Sequence, residues 1–83
     1  MADSVLLKVL RGSSDANVRF EDLRGLLLRL GFAERIKGSH HIFTHPRVAD
    51  ILKIQSRNSF AKAYQVKQVR KVPVQYKLTE GIE

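Results

Sequence analysis

The stretch Phe32-Ala-Glu-Arg-Ile-Lys-Gly-Ser-His-His-Ile-Phe-Thr-His-Pro46 reads as two extended runs joined by a tight turn. In its first half Phe32, Glu34 and Ile36 alternate with Ala33, Arg35 and Lys37, the period of two that a pleated strand imposes. Gly38-Ser39 is a turn signal. His40 to His45 is rich in β-branched and aromatic residues, and Pro46 breaks that run. A third run, Ile51 to Gln55, sets Leu52 and Ile54 on one face and Lys53 on the other. Connections this short predict an antiparallel meander. The polar segment Ser56 to Lys62, which contains Asn58 and Ser59, reads as a loop.

Helical periodicity flanks the three runs. Upstream, Phe20, Leu23, Leu26, Leu27 and Leu30 recur at steps of three and four, with Glu21 and Asp22 in the first turn and Gly31 at the stop. Arg24 and Arg29 fall on the other side of this helix. Gly25 lies in its interior at a cost of about 1 kcal/mol relative to Ala, which a close helix–sheet approach would explain. Val5, Leu6, Val9 and Leu10 predict a short helix before it, capped by Asp3 or Ser4 and stopped at Gly12. Four large apolar side chains favour packing of this helix on the core as a bracket. Downstream, Ala63 to Leu78 reads as a helix with Val66, Val69, Pro73 and Tyr76 on one face. Lys67, Arg70, Lys71 and Lys77 lie largely away from that face. Pro73 removes the amide that would bond the Val69 carbonyl, so a kink or break is expected there. The sum is one α+β domain over residues 1–83, its core spanning about 18–78 and residues 1–17 forming an N-terminal helix and loop.

Eighty-three residues leave no room for separate cofactor and substrate domains. With no cysteine, disulfides and thiolate chemistry are excluded, and a cytoplasmic setting fits. No apolar run nears the roughly 18 residues of a membrane helix, so no membrane partner is expected. Asp3 and Lys8 interrupt the early apolar residues, which argues against a signal segment after Met1. Fifteen Lys and Arg against eight Asp and Glu leave a net charge of +7, which favours a polyanionic partner. The charge is concentrated: no acidic residue occurs between Asp50 and Glu80, where Lys53, Arg57, Lys62, Lys67, Arg70, Lys71 and Lys77 all fall.

Few residues are equipped for chemistry. There is no Gly-rich phosphate loop and no His-Glu-x-x-His spacing, and the carboxylates are too scattered for a two-metal nuclease. The three histidines crowd into six positions as His40, His41 and His45. Histidine exchanges protons near neutrality, so the cluster supplies candidates for a general base. His45 reads as a turn residue ahead of Pro46. His40 and His41 are strand neighbours and point to opposite faces, so at most one belongs to a given site. If Ile42 faces the helices, His41 lies on the open sheet face; if Phe43 does, His41 emerges on the core side. Pattern alone leaves both arrangements open.

The order and wording of these segments resemble a known family. Phe20-Glu-Asp-Leu-Arg-Gly-Leu-Leu-Leu-Arg-Leu-Gly-Phe32 leads into Arg35-Ile-Lys-Gly-Ser-His-His-Ile-Phe-Thr-His-Pro46. Leu52-Lys-Ile-Gln55 and Ala61-Lys-Ala-Tyr-Gln-Val-Lys-Gln-Val-Arg70 follow. Together they look like the HicA (YcfA-like) toxins of toxin–antitoxin systems, with Leu-Gly-Phe and then Gly-Ser-His-His as the most specific part. The resemblance implies a fold like the double-stranded RNA-binding domain, helix–three strands–helix. It implies a metal-independent ribonuclease that cleaves mRNA, halts translation and is neutralised by a HicB antitoxin. Its single catalytic histidine would be His41, closing Gly38-Ser39-His40-His41. Gln55-Ser56-Arg57 departs from the proline-arginine-histidine segment of compact members and is similar to a longer subgroup.

On that reading no cofactor is required. His41 takes the proton of a ribose 2′-OH, which attacks the adjacent phosphate, and Arg35, Lys37 and Lys53 stabilise the growing charge. Gly38 and Ser39 border the site, and Lys67 and Arg70 grip RNA from the last helix. Two other readings use the same basic surface: a non-catalytic RNA-binding module reading A-form shape, and a subunit docking an acidic protein.

Overall fold

The computed structural model describes residues 3–78. Thr79 and Glu80, which bound the acid-free stretch, lie outside the described residues, as does the side chain of Arg57.

Helix α1 spans Ser4–Arg11, with Asp3 as its N-cap: Asp3 Oδ1 accepts from the Val5 and Leu6 amides at 3.1 and 3.2 Å. Leu6 and Val9 are buried, with Val5 and Leu10 packed against the same core, so the helix is the expected bracket. A 3₁₀ turn at Asp15–Asn17 follows. Helix α2, Phe20–Arg29, buries Phe20, Leu23, Leu26 and Leu27. It ends in a Schellman motif: the Phe32 amide donates to the Leu27 carbonyl and the Gly31 amide to Leu28, at 3.0 and 3.1 Å. Gly31 holds φ +97°, a left-handed value that a β-carbon disfavours. Gly25 has no close helix–sheet approach to explain it. A β-carbon there would meet only Arg29 Nη1, at 3.1 Å.

Three antiparallel strands follow in the order β1-β2-β3: Ala33–Lys37, His40–His45 and Val48–Ile54. The third begins three residues earlier than the sequence pattern suggested. Pro46 occupies a two-residue turn with Arg47, so pairing resumes at once with His45 opposite Val48. The segment expected as a loop is a small hairpin, β4 (Ser56–Arg57) with β5 (Phe60–Ala61). Its turn residues Asn58 and Ser59 take φ 52° and 71°, the left-handed pair of a hairpin turn. Long-range bonds hold this hairpin against the start of α2. The Ala61 amide donates to the Val18 carbonyl and the Phe20 amide to Ser59, at 2.9 and 3.0 Å.

Helix α3 spans Ala63–Gln75 without interruption at Pro73. The expected break is absent because Pro73 sits in the last turn, where one carbonyl loses its donor and little helix remains to be disrupted. Its ring is fully buried, which offsets that loss. One apolar core joins α1, α2 and α3 to one face of the sheet through Phe43, Val48, Leu52 and Ile54. The other face, with Arg35, Thr44, Ile51 and Lys53, is exposed. None of the helices among the described residues is long and apolar enough to cross a membrane.

Arg70 ties the ends of the fold together. Its Nε donates to the Val9 carbonyl at 2.8 Å, and its guanidinium pairs with Asp15. Replacing Arg70 by Ala leaves Asp15 and that carbonyl without their donor, a loss of about 1.5–3 kcal/mol for charge-assisted bonds. The expected outcome is faster hydrogen exchange in α1 with β2 and β3 amides little changed, read by NMR.

Candidate functional site

Phe43 is fully buried beneath the helices, and this decides where the histidines go. Side chains alternate along β2, so His41 joins Phe43 on the core side while His40 and Ile42 face the other way. The register sets His41 between Ile36 of β1 and Ile54 of β3. Ile54 is buried but Ile36 is 61% exposed, so the core thins out at this end and the imidazole reaches solvent. The His41 side chain is 20% exposed and meets the Phe20 ring edge-on, with centroids 4.7 Å apart.

Its Nδ1 lies 2.8 Å from Glu34 Oε2. Glu34 is in turn gripped by Arg24 of α2, whose Nε and Nη2 donate to the two carboxylate oxygens at 2.7 and 2.8 Å. The Glu34 side chain is only 11% exposed. The Arg24 guanidinium holds its carboxyl down at about 2 against an ordinary 4.5, with the His41 hydrogen bond helping and burial opposing. An ionised carboxylate has only acceptors, so the proton between the two groups belongs to His41 Nδ1. In the neutral ring this leaves the lone pair on Nε2, which meets no hydrogen-bond partner among the described residues. A carboxylate that fixes the tautomer and aim of an imidazole is the arrangement of a general base.

Ser39 and Lys62 occupy the same end of the sheet. Gln55, which follows Ile54, donates from Nε2 to Ser39 Oγ at 3.1 Å and accepts from Lys62 Nζ at 3.4 Å. Its amide donates to Oε1 of the buried Gln65 at 3.1 Å, tying the β1–β2 turn to the start of α3. Gly38 makes that turn with φ +61°, and a β-carbon there would meet nothing within 4 Å.

The other expected cations do not join His41. Arg35, Ile42 and Lys53 form one row across the sheet and Lys37 pairs with His40. By alternation all of them project from the open face, across the sheet from His41. Arg35, Lys37 and Lys53 therefore make no contact with a phosphate held at that imidazole. Lys67 is exposed on α3, and the Arg70 guanidinium is already engaged by Val9 and Asp15. His45 is structural: its Nδ1 accepts from the Arg47 amide at 3.0 Å and its Nε2 donates to the Leu30 carbonyl at 3.1 Å. Among the described residues no group of three or more His, Asp or Glu is placed to hold a metal ion.

Glu34, Arg24, Phe20, Gln55 and Lys62 are the site residues that pattern reading passed over. Glu34 alone left a signal, as an acid in phase with Phe32 on the apolar side of its strand. No family model, curated protein or solved structure matches this chain.

Two measurements check the geometry. Glu34 has a depressed folded-state pKa, so its contribution to stability is complete above about 4.5 and is lost as the pH falls through about 2. The stability advantage of the wild type over Glu34→Gln, followed by urea denaturation, is expected to shrink across that window. In the neutral rings, ¹⁵N NMR is expected to find the proton on Nδ1 of His41 and on Nε2 of His45, opposite tautomers in one protein.

Proposed function

We propose that the protein is a metal-independent endoribonuclease of the HicA type, the toxin of a toxin–antitoxin pair, built on a domain similar to the double-stranded RNA-binding domain. The observation that carries the reading is the His41 imidazole, with Nδ1 held by the Arg24-clamped Glu34 and the side chain partly open to solvent. The Gly38-Ser39-His40-His41 motif, the three-stranded antiparallel sheet flanked by helices and the acid-free basic stretch support it.

The reaction follows from the tautomer. Nε2 of His41 takes the proton from a ribose 2′-OH, the oxygen forms a new bond to the adjacent phosphorus, and the bond to the next nucleotide's 5′-oxygen breaks. That oxygen leaves with a proton supplied by water or a lysine, and the upstream strand ends in a 2′,3′-cyclic phosphate. Glu34 stabilises the imidazolium formed on the way, as the carboxylate of a catalytic triad does. Lys62, whose Nζ bonds Gln55 beside the Ser39 turn, is the cation assigned the charge-stabilising role that the strand cations were expected to play. No step uses a metal. A lone positioned base contributes roughly 10²–10⁴-fold, which makes a slow nuclease, and slow cutting of mRNA suffices to halt growth.

Replacing His41 by Ala is expected to lower cleavage of an unstructured RNA in EDTA by at least about 10²-fold. Circular dichroism should stay unchanged, because the side chain lies at the thin edge of the core. Cleavage at the wild-type rate by His41→Ala would remove the assignment. Loss of growth arrest in the same variant, and rescue of the wild type by a small acidic protein encoded alongside it, check the toxin and antitoxin roles. Salt-sensitive RNA binding by a wild type that never cleaves would instead mark a non-catalytic RNA-binding module.

A further inference from the structure

A cleft lies where the β4–β5 hairpin meets the start of α3. Its volume is about 420 Å³, within the roughly 300–1,000 Å³ of small-ligand sites. Asn58, Phe60, Lys62 and Tyr64 line it, with Ala16, Ala61 and Ala63 as its small, flat parts. No carboxylate is among these residues. Tyr64, in the first turn of α3, is 57% exposed. Phe60 is already matched to a cation, with the Arg19 guanidinium carbon 5.8 Å from its ring centre.

Hydrogen bonds and ring packing link the elements that line this cleft to those around His41. Phe20 packs its ring against the imidazole while its amide donates to Ser59, in the turn of the hairpin that carries Asn58 and Phe60. Lys62 belongs to both places: it lines the cleft, and its Nζ reaches back through Gln55 towards Ser39.

We infer that this cleft is a nucleobase subsite, in which Tyr64 is the stacking platform for a base of the single-stranded RNA whose phosphate reaches His41. The inference rests on the ribonuclease reading for its ligand. An exposed aromatic ring in a cleft with a lysine, and an amide side chain offering a donor and an acceptor, is the chemistry that proteins use to hold unpaired nucleotides. A protein segment of apolar character would use the rings but not Arg19 and Lys62. The acid-free lining selects a polyanion.

The test uses His41→Ala protein, which leaves RNA intact, and a fluorescently labelled unstructured oligoribonucleotide followed by anisotropy. Adding Tyr64→Ala is expected to weaken binding roughly 5- to 100-fold, the range for loss of one stacked base. Tyr64→Phe, which keeps the ring, should bind within about twofold of the parent. Tyrosine emission, free of tryptophan background, should be quenched by unlabelled oligonucleotide in the parent and not in Tyr64→Ala. Equal affinity of the Tyr64→Ala protein and its parent would overturn the inference and leave the cleft to a protein segment. A Tyr64→Phe protein as weak as Tyr64→Ala would overturn it too, since the hydroxyl and not the ring would then be at work. Wild-type cleavage with Tyr64-independent binding removes the subsite alone. Tyr64-dependent binding by a wild type that never cleaves removes the nuclease alone.

Discussion

Phe43 enters the core at the middle of the middle strand, and the direction of every other sheet side chain depends on it. A strand repeats every two residues, so a slip of one would carry the whole set to the opposite face. Burying a phenylalanine is worth about 1.5–3 kcal/mol, a large part of what a chain of this length has in hand. Ile42 in its place would expose the larger ring and turn Leu52 and Ile54 away from the helices. The register of a hydrophobic packing choice thus places a catalytic candidate: His41 stands on the helix side because Phe43 does.

Once there, His41 depends on a charge that the same face should exclude. Glu34 shares the inner side of β1 with Phe32, and a nearly buried carboxylate is costly unless its lone pairs are matched. Arg24 matches them with a two-pronged grip from α2, and His41 Nδ1 adds a third donor. The cluster joins α2 to β1 and β2, so the group that orients the imidazole also sets the helix against the sheet. Removing either end leaves the other charge stranded, and positional accuracy at His41 is bound to the stability of that helix–sheet contact.

Local signals were legible and long-range ones were not. The Asp3 cap, the apolar stripe of α2, the Gly31 stop and the β1–β2 turn at Gly38 each depend on neighbours within a few residues, and each was found where its residues stand. Local pattern marks residues 56–61 as a loop because the bonds that hold the hairpin go to Val18 and Phe20, some forty residues away. Arg70 looked like a free surface cation because Val9, its acceptor, lies sixty-one positions upstream. The His41 direction was undecidable because two apolar residues, Ile42 and Phe43, adjoin, and only the helices packed above the sheet distinguish them. Pro73 misled in the opposite sense: its effect depends on distance from the helix end, a boundary that local pattern places poorly.

The open sheet face gives the charge of +7 a second role. Arg35, Lys37 and Lys53 stand there with His40 and without a carboxylate, separated from His41 by the sheet itself. Contact stabilisation of a reacting phosphate is therefore closed to them. Their field is not, because unlike charges attract over a Debye length of about 8–10 Å in ordinary salt. Such a surface raises the local concentration of a polyanion and its rate of encounter without choosing the bond to be broken. Lys62 stands apart from this row, between Gln55 and the cleft lined by Tyr64. On the ribonuclease reading, then, the basic surplus divides by geometry: the sheet face gathers RNA, the α3 start positions it, and the acid of the site, Glu34, aims the base.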